Sequence, residues 1–275
     1  MNNQNFQTLD IATGSKNNLW HELEIFLKIH SKNLSTPCEL PIIFIIGTGR
    51  SGTHWLGWIL ETHPNFHVLI EKPPAFHWVT QMAVIPNSQK KLFPKLTKRY
   101  QAEAELAKPK ILVDKSHPNL WIAEQLSHAF TNAKFLGVMR DPFGTTASML
   151  KHEGVLSWMK NWQQYPVPNS FLGISKENAA QYETLSLPEQ CALRWKSHRD
   201  KMDDVKGKLG DRFYEVNYSL LQKETLYELH KIQSFLNIDE PFLLPDIKSE
   251  SLTKWQQELS VEDIKAIEKI TGVYL

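Results

Sequence analysis

Residues 41–54 read PIIFIIGTGRSGTH. The run IIFII, bounded by Pro41 and Gly47, is short, apolar and rich in β-branched isoleucine, which predicts a buried strand. The following GTGRSGTH is a glycine-rich loop, and 55–62 (WLGWILET) predicts a helix stopped by Pro64. Strand, glycine-rich loop and helix in that order make an anion cradle. Loop amides and the helix N-terminus present partial positive charge to a phosphate. Gly47 and Gly52 stand at the two glycine positions of GxxxxGK[ST], the loop that holds nucleoside triphosphates. Thr53 replaces its lysine and His54 its metal-holding Ser/Thr, so the parts that act on a γ-phosphate are missing. The one basic side chain of the loop is Arg50. A nucleotide with no reacting γ-phosphate suits such a cradle.

Working outward, further strands are predicted at 66–71, 110–113, 134–139 and 213–216. Helices are predicted at 18–30, in the later part of 89–108, and at 120–130, 187–205 and 225–236. Asp141-Pro142 predicts a helix start, with Asp as the cap and Pro in the first turn. Ser260 with Asp263 predicts a capping box for a C-terminal helix. Strands alternating with helices predict an α/β three-layer sandwich: a central parallel sheet, flanked by helices, with right-handed crossovers. About 250–300 residues is compatible with one core. We therefore expect a single domain over 41–275, with an N-terminal helix and linker over 1–40 packed on it.

Thirty-one Lys and Arg against 30 Asp and Glu give a net charge of +1. That balance argues against nucleic acid or an anionic membrane as partner. Residues 1–17 lack the pattern of a signal peptide, and the longest apolar run, 42–46, is far too short to span a membrane. Cys38 and Cys191 are too few for a disulfide framework. Together these predict a soluble, cytoplasmic protein. His63 and His67 are separated by Pro64, and no HExxH or CxxC occurs, so no catalytic metal is expected.

A second motif follows the strand at 134–139: Arg140-Asp141-Pro142, then Ser148 about two helical turns on. An arginine at a strand's carboxyl end and a serine on the following helix can meet at one anion.

The pair of motifs resembles sulfotransferases that use 3′-phosphoadenosine 5′-phosphosulfate (PAPS). The stretch Gly47–Trp55 is similar to that family's 5′-phosphosulfate loop, and Arg140…Ser148 to its 3′-phosphate site. The resemblance implies that Gly49, Arg50, Ser51, Gly52, Thr53 and His54 hold the 5′-phosphosulfate, with His54 departing from the family's usual Thr or Ser. It implies that Trp55 stacks on adenine and that Tyr218 contacts adenosine. The stretch around Tyr218, Leu220 and Leu221 is similar to the family's YEDLL segment, with Ser219 where the acid usually stands. Lys254-Trp255 resembles a late Lys-Trp pair whose lysine adds a 3′-phosphate contact. The resemblance runs from about Pro41 to Trp255.

Sulfuryl transfer needs positive charge at the leaving oxygen and a base near the acceptor; no metal is required. Arg50 stands where the charge is needed and stays protonated, so it is no base. Two bases compete. Glu71 ends the second strand, where α/β proteins collect functional residues, and in some branches of the family a Glu here resembles the base. His117, in Asp114-Lys115-Ser116-His117-Pro118, is similar to the basic histidine of cytosolic small-molecule sulfotransferases, and His titrates near neutrality. Spacing favours Glu71. In either case Lys115 can bridge toward the sulfuryl group. The aromatic stretch 151–171, with Trp158, Trp162 and Tyr165, is the expected acceptor lid, and 73–94 the opposite wall. The acceptor stays open among sugar, lipid, phenol, peptide tyrosine, small alcohol and amine. A P-loop kinase or nucleotide hydrolase, and a non-catalytic nucleotide-binding module, are the competing functions.

Overall fold

The structure is a computed structural model that describes residues 15–31, 37–243 and 252–275. Expectations for 1–14, 32–36 and 244–251 lie outside the described residues.

Five parallel strands form one sheet: β1 (Ile42–Gly47), β2 (Phe66–Ile70), β3 (Ile111–Lys115), β4 (Lys134–Met139) and β5 (Phe213–Asn217). Their order is β2-β3-β1-β4-β5. Every residue of β1 is buried, because β1 is central and both faces are covered. Its side chains alternate between two cores. Ile42, Phe44 and Ile46 pack in one, with α3 (Ala75–Val84), α4 (Gln89–Ala107) and α8 (Leu187–Leu209). Ile43 and Ile45 pack in the other, with α2 (Thr53–Glu61) and α10 (Thr225–Leu236). The molecule is thus the α/β three-layer arrangement that the alternation of strands and helices predicts.

The chain leaves β1 toward β2 on one side of the sheet and leaves β4 toward β5 on the other. Between the carboxyl ends of β1 and β4 the connections part, and such a crevice is where α/β sheets bind ligands. The glycine-rich loop leaves β1 there, and Arg140 leaves β4.

Several elements differ from expectation. Strand β3 runs on to Lys115, since pairing with both β1 and β2 carries the ladder further than its apolar residues extend. The predicted helix at 120–130 is a 3-10 turn, His117–Ile122, leading into a short helix, α5 (Ala123–Ala129). Helix α3 lies in the stretch expected only as a wall. The first half of 151–171 folds as α7 (Glu153–Lys160), where the sequence shows little clear periodicity. Both predicted caps form: Asp141 accepts from the Gly144 amide at 2.6 Å, opening α6 (Pro142–Met149), and Ser260 with Asp263 closes a capping box on α11 (Val261–Thr271). The N-terminal helix α1 (Ser15–Ser31) rests on α4. Among the described residues no helix is long and apolar enough to cross a membrane, and no cluster of His, Cys, Asp or Glu is arranged to hold a metal.

Candidate active site

The loop after β1 is pinned from below. Ser51 is fully buried, and its hydroxyl donates to the carbonyls of Thr48 and of Val138 on β4, the latter at 3.0 Å. That hydroxyl therefore fastens the loop to the sheet. Gly52 caps α2 at φ 93°, a left-handed conformation, and a Cβ there would collide with the Tyr218 ring. Arg50 also has positive φ, 77°, without being glycine. Backbone held there is strained, and such strain gathers at functional sites. It turns the Arg50 side chain across the crevice, where Nε donates to Ser148 Oγ at 3.1 Å. The two anion motifs therefore meet.

One cleft lies over this meeting point. Arg50, Gly52 and Thr53 form its loop side, and Arg140, Ser148 and Tyr218 its far side. Trp55 and Trp58 from α2 close one end, beside His54. The Arg140 guanidinium lies 5.0 Å over the Tyr218 ring and against Gly144 in the first turn of α6, where any Cβ would strike it. Lys254 is not brought in. Its side chain is exposed, 3.7 Å from Glu258, and it lines neither this cleft nor the next; its neighbour Trp255 packs on Phe143 instead. Lys254 is thus not among the residues brought together at these two cavities.

A second cavity opens on the other side of the loop and shares Arg50, Thr53 and His54 with the first. Gly49, Glu71, Lys115 and His117 form its polar floor. Phe76 of α3 and His152, Gly154, Val155 and Trp158 around α7 form its walls. The stretch 151–171 thus contributes through its first half. Trp162 and Tyr165 pack elsewhere, in the cluster around Phe171 and Tyr182.

Strand register assembles the floor. Beyond the last paired residues, Ile70 and Lys115, the Glu71 amide donates to the Lys115 carbonyl at 2.9 Å. Glu71 then turns into the left-handed region, φ 49°. Its carboxylate Oε1 takes the Lys115 ammonium and, at 3.0 Å, His117 Nδ1. Oε2 lies 3.5 Å from His54 Nε2. Lys115 also donates to His54 Nδ1 at 2.9 Å.

Protonation states follow from these contacts. Burial pushes the Glu71 carboxyl up, but His117 and Lys115 outweigh it and hold the group well below the usual carboxylate range. Burial lowers the Lys115 ammonium, with Glu71 opposing. Burial pushes His117 down to about 4, against the pull of Glu71, so the imidazole is neutral near pH 7. A carboxylate only accepts, so the His117 proton sits on Nδ1. Nε2 then carries a bare lone pair, and it has no partner among the described residues. It faces Gly49, where a Cβ would stand 3.0 Å away. Nothing larger than glycine leaves room between this nitrogen and the loop.

Trp58, Phe76 and His152 also line the two cavities. Phe76 and His152 fall in the stretches that the sequence marks as wall and lid without being singled out there, and Trp58 is not among the residues it names. Trp58 follows Trp55 by one turn of α2, a spacing that offered a signal. His152 caps α7 through Nδ1, which accepts from the Val155 amide at 3.3 Å. Histidine is not a favoured cap, so its position carried no signal.

Comparison with known proteins bears on the fold and the family. No curated protein matches the chain. Among solved structures, the sulfotransferase domain of the Synechococcus PCC 7002 olefin synthase is 17% identical with a TM-score of 0.55, covering 89% of this chain and 98% of that one. A sulfotransferase domain from the curacin biosynthetic pathway is 16% identical with a TM-score of 0.56, covering 86% and 100%. The sulfotransferase STF9 from Mycobacterium avium is 14% identical with a TM-score of 0.51, covering 93% and 81%. At these identities the likeness establishes the fold. The sequence profile of the sulfotransferase family matches residues 41–241, from the strand that carries the loop to beyond Tyr218. This chain belongs to the sulfotransferase family.

Proposed function

We propose that the protein transfers the sulfuryl group of PAPS to a hydroxyl or amine acceptor and releases adenosine 3′,5′-bisphosphate (PAP). The observation that carries this reading is Arg50. It is shared by the two cavities and bonded to Ser148, so it stands at the wall a transferred group must cross.

The donor belongs in the cleft over Arg140, Ser148 and Tyr218. Arg140 and Ser148 suit the 3′-phosphate, and the first-turn amides of α2 suit the 5′-phosphate. Trp55, Trp58 and Tyr218 offer aromatic faces for adenine. In the transfer, the bond from sulfur to the phosphate oxygen breaks as the acceptor atom bonds to sulfur. Arg50 and Lys115 meet the negative charge on the leaving oxygen and the sulfuryl oxygens.

His117 is the better base on this geometry. Both oxygens of Glu71 are engaged by cationic or donor groups, which weakens it as a base. His117 keeps Nε2 uncommitted, and Glu71 holds the tautomer that frees it. Glu71 is then a positioning residue. This reverses the preference that spacing suggested. Free cysteines and the lack of a membrane-spanning helix among the described residues support a cytoplasmic setting.

Thermal melting with PAP and with ADP tests the donor assignment, because a ligand that binds only the folded state raises the melting temperature. PAP should stabilise far more than ADP. Equal shifts, or magnesium-dependent ATP turnover, would support the kinase-like alternative. Tight PAP binding with no transfer of labelled sulfuryl to any acceptor would leave a nucleotide-binding module.

A further inference from the structure

Helix α1 is seated by its polar side. Arg99 of α4 forks onto Glu22 at 2.6 and 2.7 Å and bonds Glu103 at 2.7 Å, while His21 meets Glu103 at 2.9 Å. Ile25 sits in the same seat, only 2% exposed. At 100° per residue, Leu23 and Leu27 lie nearly opposite Ile25, with Trp20 and Leu19 flanking them and Phe26 at the edge of the stripe. Leu19 is 73% and Trp20 67% exposed, and the other three are between 44% and 55%. An amphipathic helix normally turns such a stripe toward its own core. Here it faces outward from Leu19 to Leu27.

We propose that this stripe is a self-association surface, covered by α1 of a second copy of the chain in an antiparallel pair centred on Leu23. In that pairing Leu23 faces its own counterpart, Leu19 faces Leu27, and Trp20 faces Phe26. The stripe is thus self-complementary, as a two-fold interface must be. Five such side chains expose roughly 500 Å² of apolar surface, near the top of the range for the largest patch on a monomer. That is also the greater part of the ~800 Å² each partner contributes to a standard interface. The helix carries two lysines and two glutamates, so it lacks the basic face that draws a helix onto an anionic membrane. A whole-chain charge of +1 sets little repulsion between copies. Residues 1–14 hold Phe6, Leu9 and Ile11 among mostly polar neighbours, too little apolar surface to cover five large side chains.

Sedimentation velocity on the full chain, with amide exchange read over 19–31, tests this. The wild type should sediment as a dimer at micromolar concentration, with exchange over 19–31 slowing as concentration rises. Leu23→Glu sets two carboxylates against each other on the axis and should be monomeric, with unchanged far-UV circular dichroism and unchanged PAP binding. Val261→Glu, at a still more exposed apolar position on α11, should stay dimeric. A wild type that is monomeric throughout would overturn the proposal, as would a Leu23→Glu variant that still dimerises. Concentration-independent protection of 19–31 would overturn it in favour of the chain's own residues 1–14. Binding of the monomer to phosphatidylcholine vesicles through this helix would overturn it in favour of a lipid surface.

Discussion

Arg50 Nε donates to Ser148 Oγ across 98 residues of chain, joining the loop after β1 to the helix after β4. The contact crosses the crevice where the sheet connections part, and it brings both anion motifs to one cleft. Removing its partners should separate their roles. Ser148→Ala loses one hydroxyl donor, and PAP affinity should fall about 2–10-fold. Arg140→Ala loses a guanidinium, and the fall should be about 10–150-fold. Isothermal titration with PAP measures both, and a larger loss for Ser148→Ala would contradict the assignment of the phosphate to Arg140.

The base is tested by comparing its two candidates. His117→Ala should lower kcat by about 10²–10⁴-fold. Glu71→Gln should cost less, because an amide oxygen can still accept the Nδ1 proton. Added imidazole should restore part of the turnover of His117→Gly and none of Glu71→Gln. Full turnover by His117→Ala at saturating acceptor would return the role to Glu71.

Gly52→Ala tests the cradle. An alanine must adopt φ 93° and also displaces the Tyr218 ring. The variant should lose about 1–3 kcal/mol of stability and bind PAP poorly. In a Tyr218→Ala background the same change should cost less, because only the backbone strain remains. Denaturant melts of the four proteins provide the comparison, and equal penalties in the two backgrounds would disprove the steric account.

Trp158 walls the cavity over Glu71 and His117, where we place the acceptor in the proposed reaction, and is absent from the cleft over Arg140 and Ser148. Trp158→Ala should raise the acceptor KM about 10-fold or more and leave the PAP dissociation constant unchanged. A parallel loss of PAP affinity would show that the two cavities are not separable.

Asp114 on β3 gives a pH signature of stability. Burial raises its carboxyl to about 7, although Tyr100 and Asn119 donate to it at 2.9 and 2.8 Å. A folded value above the unfolded one favours the protonated form in the native state. The contribution is therefore complete below about pH 4 and is lost as pH rises through about 7. Asp114→Asn should be near neutral at pH 5 and stabilising by about 1–3 kcal/mol at pH 8. Urea melts across that range decide it, and a penalty that grows toward pH 8 would contradict the sign.

Much of the fold was legible because it depends on local pattern. The run 42–46 is apolar on both faces, so it had to be a central strand, and its alternate side chains do enter two cores. Gly47 to Trp55 and Arg140 to Ser148 were legible for a similar reason: each is a strand end followed by a helix start, a unit whose chemistry is local. The helix α7 was not, since its side chains answer to Phe171, Met149 and Cys191, which lie at other places in the chain.

By itself, then, the order of residues determined the parallel α/β sheet, the anion loop and the two motifs flanking its central crevice, because period, glycine position and cap chemistry act over a few residues. Only the tertiary structure decided that Ser51 fastens the loop, that Lys254 stays outside, and that His117 keeps Nε2 free while Glu71 is tied to Lys115. Those outcomes rest on strand register and burial, which bring residues 50, 71, 115 and 117 around one cavity and set the protonation of Glu71, Lys115 and His117. No local pattern carries that information, because it arises only when β2, β3 and β1 lie side by side.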